Sequence, residues 1–177
     1  MNLNKILTPV LALLLFSGAA NAQLSSVVTT KDQVLRNNIK TFIVLDEKSG
    51  FVMAQTPIKY DINAEMPVCY FTMDNPINLV IPEIGRYLVI HELKKDEGGD
   101  QYDWVLENNR DENDVFFSRT KFITWENGKW WNVLVDDDKV VFQNMANHGY
   151  LKIDSQGDFS MVEDRKAASR WKLIYIY

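Results

Sequence analysis

The sequence predicts an all-β domain, and three observations predict it. Short runs rich in Val, Ile, Phe, Tyr, Trp and Thr recur from Asn38 onward, and these residues fit a pleated, half-buried surface. Turn-forming residues punctuate the runs at short intervals. A unit made of a glycine, an aromatic-aliphatic strand and a later aromatic strand recurs along the chain, and internal repeats constrain architecture more than local propensity does. No long amphipathic helix competes: Thr29–Arg36 and Glu163–Ala168 each have room for a turn or two.

In chain order, residues 1–22 read as a secretory signal peptide. Lys5 supplies the positive start, Ile6 to Phe16 the apolar stretch, and Ala20-Asn21-Ala22 the small-residue cleavage site. The apolar stretch is shorter than the ~20 residues of a membrane span. Residues 23–37 read as a flexible or loosely docked lead-in, Ser/Thr/Val-rich and without helical period. Residues 38–177 form the domain.

The expected strands are Thr41–Leu45, Gly50–Gln55, Val68–Met73, Asn78–Ile81, Tyr87–Glu92, Tyr102–Glu107, Val115–Ser118, Phe122–Trp125, Trp130–Val135, Val140–Gln143, Tyr150–Asp154, Phe159–Glu163 and Trp171–Tyr177. Two hairpins are signalled. Asn127-Gly128 lies between aromatic runs, and Asn-Gly tolerates the positive φ of a type I′ turn. Asp136–Lys139 separates two valine-rich runs. The closing strand is expected to pair with an early one and complete a sheet.

The repeat is clearest between His148 and Tyr177. Its parts are Gly149-Tyr150-Leu151, Gly157-Asp158-Phe159 and Trp171-Lys172-Leu173-Ile174, with Asn144 just upstream. A looser copy runs from Gly85-Arg86-Tyr87-Leu88 to Trp104, and a weaker one from Gly50-Phe51 to Cys69-Tyr70-Phe71. The final unit resembles a ricin-type or fascin-type β-trefoil repeat. That resemblance implies a single β-trefoil of about twelve short strands, with loops displayed for binding. The uneven spacing of Gly50, Gly85 and Gly149 implies an insertion in one lobe. The Gln-x-Trp signature of ricin-type lectins is absent: the matching positions read Tyr102-Asp103-Trp104 and Ser169-Arg170-Trp171. The alternative architectures are a lipocalin-like barrel and a two-sheet sandwich.

Composition narrows the function. The chain is 46% hydrophobic and 12% aromatic, enough for a packed core. Lys5 is the only charge in the signal, so cleavage moves the net charge from −5 to −6. An acidic chain without a basic cluster argues against nucleic acid or an anionic membrane as partner. No membrane span is expected after signal cleavage. Cys69 is the only cysteine, so no internal disulfide can form. It reads as a buried small hydrophobe, since no histidine stands near it in sequence to activate it.

Candidate chemistries are few. Asp136-Asp137-Asp138 lacks a calcium-loop pattern and reads as a hairpin turn. His91 and Glu92 are strand neighbours and face opposite sides. Two histidines and one cysteine make no standard zinc site without carboxylates. Gly-x-Ser-x-Gly and phosphate-loop patterns are absent. No catalytic set, metal or cofactor is expected.

Binding residues are more legible. Trp130-Trp131 must split between two faces, and an exposed tryptophan makes a stacking platform. Asn108, Asn109 and Asp111 belong to the polar run Glu107–Asp114, rich in groups that hydrogen-bond hydroxyls. The expected function is a periplasmic or secreted, non-enzymatic, lectin-like module recognising a carbohydrate or a protein surface. The alternatives are a hydrolase inhibitor presenting the Asp61–Pro67 stretch, and an exported enzyme built on His91 or His148.

Overall fold

The computed structural model describes residues 26–27, 39–61, 63–64, 66–72, 85–91, 98–100, 102–109, 114–122 and 127–175. The expected signal peptide, most of the lead-in, Asn78–Ile81 and Asp111 lie outside them. Among the described residues the chain is all-β. Its strands are β1 (Ser26–Val27), β2 (Ile39–Asp46), β3 (Phe51–Val52), β4 (Ile58–Lys59), β5 (Cys69–Thr72), β6 (Gly85–His91) and β7 (Asp103–Asn109). They continue as β8 (Asp114–Thr120), β9 (Trp131–Asp136), β10 (Lys139–Asn144), β11 (Tyr150–Ile153), β12 (Phe159–Val162) and β13 (Trp171–Tyr175). Two short 3-10 turns, Asn127–Lys129 and Arg165–Ala167, complete it. No helix among the described residues is long and apolar enough to cross a membrane.

The pairings follow one rule three times over. β2 pairs β5, β5 pairs β6, β6 pairs β9, β9 pairs β10, β10 pairs β13, and β13 pairs β2. These six antiparallel contacts close a ring. Its members are the first and fourth strands of three four-strand units: β2–β5, β6–β9 and β10–β13. The second and third strands of each unit, β3–β4, β7–β8 and β11–β12, pair as hairpins off the ring. Direct pairing of β2 with β5 and of β6 with β9 departs from an up-and-down meander.

The units begin at Ile39, Gly85 and Lys139, which corrects the repeat read from sequence. Gly50-Phe51 and Gly149-Tyr150 both open the second strand of their units, so those copies are in register. Gly85-Tyr87-Leu88 lies in a first strand and Trp104 in a second strand, so the middle copy is out of register. The position equivalent to Trp171 is Trp131, and the one equivalent to both is Cys69. Each opens the fourth strand of its unit, and each is fully buried.

Those three side chains sit in one core with Phe42, Val44, Leu88, Phe142 and Leu173. The polar ends of Trp131 and Cys69 meet backbone carbonyls in or just past second strands. Trp131 Nε1 donates to the Leu106 carbonyl at 2.9 Å. The Cys69 thiol lies 3.7 Å from the Met53 carbonyl, just past β3. In the third unit the Ser169 amide takes the Leu151 carbonyl at 3.1 Å, and Trp171 Nε1 has no partner among the described residues. From Phe42 to Asp46, β2 is buried on both faces. Phe42 and Val44 face the ring core, while Ile43, Leu45, Val52 and Ile174 form a second cluster outside it.

Turns explain where the strands stop. Asp136 pairs Lys139 across a two-residue turn, as the sequence predicts, with Asp137 at φ 57°. Asn127-Gly128 forms no such hairpin. It belongs to the 3-10 turn before β9, because β9 pairs β6 and β10 and not β8. Gly128 serves close approach instead: a Cβ there would stand 2.6 Å from the Asn108 carbonyl oxygen. In the lead-in, Ser26 and Val27 pair Tyr175 and Ile174.

Candidate functional site

The two tryptophans expected to offer a platform are both inside. Trp131 is fully buried in the ring core and Trp130 is 8% exposed. Alternation does send them to opposite sides, as expected. Trp130 then meets Tyr87 edge-on, ring centroids 4.9 Å apart, with Val89 and Val105 closing over it. A stacking platform needs a bare ring face, and neither tryptophan has one. Asn108 is also buried, on the side of β7 that faces Leu106 and the ring core. Asn109 is half-buried and registered opposite Asp114, which is exposed.

The side of the β7–β8 hairpin turned away from the ring core, buried at Val105 and open at Phe116, gathers groups that the sequence reading missed. The register sets Glu107 opposite Phe116 and Val105 opposite Ser118, so one face carries all four. Phe116 is 41% exposed, in a strand whose neighbouring Val115 and Phe117 are buried. Beside it the Ser118 hydroxyl donates to Glu107 Oε2 at 2.6 Å. Lys129 Nζ lies 3.4 Å from the same oxygen. That lysine arrives on the 3-10 turn that Gly128 lets down onto Asn108. Asn144 holds the turn from the other side, its Nδ2 donating to the Gly128 carbonyl at 2.7 Å. The Glu107 carboxylate is therefore fixed by two partners beside a bare aromatic ring. Lys129 and Glu107 side chains are only 13% and 21% exposed, so the pair is partly shielded from water.

The doublet Phe116-Phe117 obeys the rule applied to Trp130-Trp131. Two adjacent aromatics in a strand cannot share a face. Here the rule does place one ring outside. Glu107 opens the polar run that the sequence singled out, but its chemistry comes from strand partners that only the register reveals.

Asn108 is polar, 3% exposed, and neither its Nδ2 nor its Oδ1 has a partner among the described residues. An orphaned buried amide is costly. It lies on the opposite side of β7 from Glu107, so it belongs to the core side of the hairpin and not to the face.

Other titratable groups are placed for structure. Burial pushes the Cys69 thiol up to about 12, which keeps it protonated and inert. The Tyr70 hydroxyl is raised by burial and by its hydrogen bond to the Asp103 carboxylate. Glu47 is lowered to about 2 by its bonds to Lys139 and Lys172. His148 is exposed at φ 60°, and its amide donates to the Asn144 carbonyl at 3.0 Å. His91 is registered opposite Asp103. No three His, Cys, Asp or Glu gather as a metal site among the described residues. In the Asp61–Pro67 stretch, the Asn63 amide donates to Asp61 Oδ1 at 2.9 Å, and both residues are exposed.

No family model and no curated protein matches this chain. Among solved structures it is similar to a GlcNAcα1-4Gal-releasing endo-β-galactosidase from Clostridium perfringens. The likeness has 12% identity and a TM-score of 0.46, over 78% of this chain and 33% of that one. The chain thus spans about a third of that protein's length.

Proposed function

We propose that this chain is an exported, non-enzymatic binding module of β-trefoil type that recognises carbohydrate on the outer face of its β7–β8 hairpin. Three four-strand units around a ring of six strands support the trefoil reading. The observation that carries the binding reading is Phe116, an exposed ring directly across the register from a carboxylate that Ser118 and Lys129 hold in place. Sugars present an apolar ring face and a rim of hydroxyls. An aromatic surface takes the first and a fixed carboxylate accepts from the second. Pre-orienting that carboxylate lowers the ordering cost of binding. Export rests on the signal-like first 22 residues.

A glycan array followed by calorimetry on the hits tests this. Phe116→Ala and Glu107→Gln should each weaken binding by about tenfold or more, equivalent to ~1.4 kcal/mol. Melting temperature for Phe116→Ala should stay near wild type, since that ring is exposed. Folded protein that is silent across the array, or hits indifferent to both substitutions, removes the reading.

A further inference from the structure

Phe116 is not the only bare ring on this hairpin. Phe122, just beyond the end of β8, is 73% exposed. Its backbone is pinned: the Thr120 hydroxyl donates to the Phe122 carbonyl at 2.5 Å, and the Phe122 amide donates to that hydroxyl at 3.2 Å. A ring held this way is presented to solvent by a fixed turn.

Phe116 lies within β8 and Phe122 just past it, with Ser118 and Thr120 half-buried between them. A carboxylate stands directly across from Phe116, whereas at the Phe122 end the Asp103 carboxylate bonds Tyr70. Glu107 is registered opposite Phe116, and Asp103 opposite Thr120, two residues short of Phe122. The repeated element along the hairpin is therefore the exposed ring. Phe116 and Thr120 lie about 13 Å apart along the extended strand, and Phe122 stands just beyond its end. That span exceeds one sugar ring and suits a chain of several.

We infer that the ligand is an extended oligosaccharide or polysaccharide lying along β8, with Phe116 and Phe122 as two separate subsites. This rests on the carbohydrate reading above and sharpens it to a chain ligand. A second platform adds to binding only when the ligand is long enough to reach it, because the linked contact is then intramolecular.

Calorimetry with chito-, malto- and N-acetyllactosamine oligomers, from monosaccharide to hexasaccharide, tests this on the whole protein. In the series that binds, wild-type affinity should climb with length and then level off. Phe122→Ala should leave the shortest ligands unaffected and weaken the longest by about tenfold. Phe116→Ala should weaken every length. Affinity that is flat with length, or an equal loss at all lengths for Phe122→Ala, overturns the chain ligand while leaving carbohydrate binding intact. No binding in any series removes both. Phe122→Trp, which keeps a platform, should restore the length dependence and separates lost stacking from a misfolded turn.

Discussion

Single residues in this protein show how far burial overrides local chemistry. Asn108 has the side chain of a sugar-binding residue and sits in a polar run, yet its amide is buried without a partner among the described residues. The orphaned group costs about 1–3 kcal/mol. Asn108→Leu, close in size, should therefore stabilise the fold by an amount in that range, read as a higher midpoint in urea. Glycan affinity should not change, because Asn108 and Glu107 lie on opposite sides of β7. A lower midpoint would mean that something polar satisfies the amide. Sequence could flag Asn108 as polar but not as buried, because the polar run continues straight into the strand. The tryptophan doublet and the Phe116-Phe117 doublet posed one question and received opposite answers. What separated them was cover. Trp130 lies under Tyr87 and Val89 from a strand distant in sequence, whereas Phe116 has no such lid.

At the scale of elements, alternation of side chains was legible and choice of partner strand was not. Burial runs exposed-buried-exposed-buried through Asp114–Phe117, as period-two patterning requires. The Asp136–Lys139 hairpin was equally readable, because its two strands do pair. Asn127-Gly128 carried the same kind of signal and formed a 3-10 turn, since a hairpin turn needs strands that pair across it. Its glycine is spent on proximity. Gly128→Ala would drive a Cβ to 2.6 Å from a backbone oxygen that cannot swing away. The expected loss is about 1–3 kcal/mol. It should come with weaker glycan binding, because the turn that carries Lys129 must retreat from Glu107. Denaturation and calorimetry on the same variant check both; full stability with full affinity would refute the close-approach role. The out-of-register middle repeat has a similar cause. Gly85-Arg86-Tyr87-Leu88 and Gly149-Tyr150-Leu151 look alike locally, and only pairing distinguishes a first strand from a second.

Across the whole molecule, stability depends on the ring and on charges that tie its strands together. Glu47, past the end of β2, bonds Lys139 of β10 at 2.7 Å and Lys172 of β13 at 2.9 Å. Its folded pKa of about 2 lies below its ordinary 4.5. A depressed carboxylate stabilises the fold fully above its unfolded pKa. That contribution fades as pH falls from 4.5 toward about 2. Glu47 is 39% exposed, so solvent screening limits the effect to about 1 kcal/mol or less. Glu47→Gln should lower the urea midpoint at pH 7, and the gap to wild type should narrow steadily across that acid window. A gap that persists at pH 2 would show that the residue acts by packing and not by charge.

The pairing that shuts the ring also sets a clock. Leu173 must find Val44, and β1 must find Ile174, across nearly the whole sequence. Contacts so distant along the chain form slowly, because a long loop has to close before they contribute. While β13 is still being made, β2 lacks one of its two ring neighbours and the barrel cannot seal. If the chain is exported, as proposed above, this delay keeps the nascent polypeptide threadable while it passes through a narrow channel.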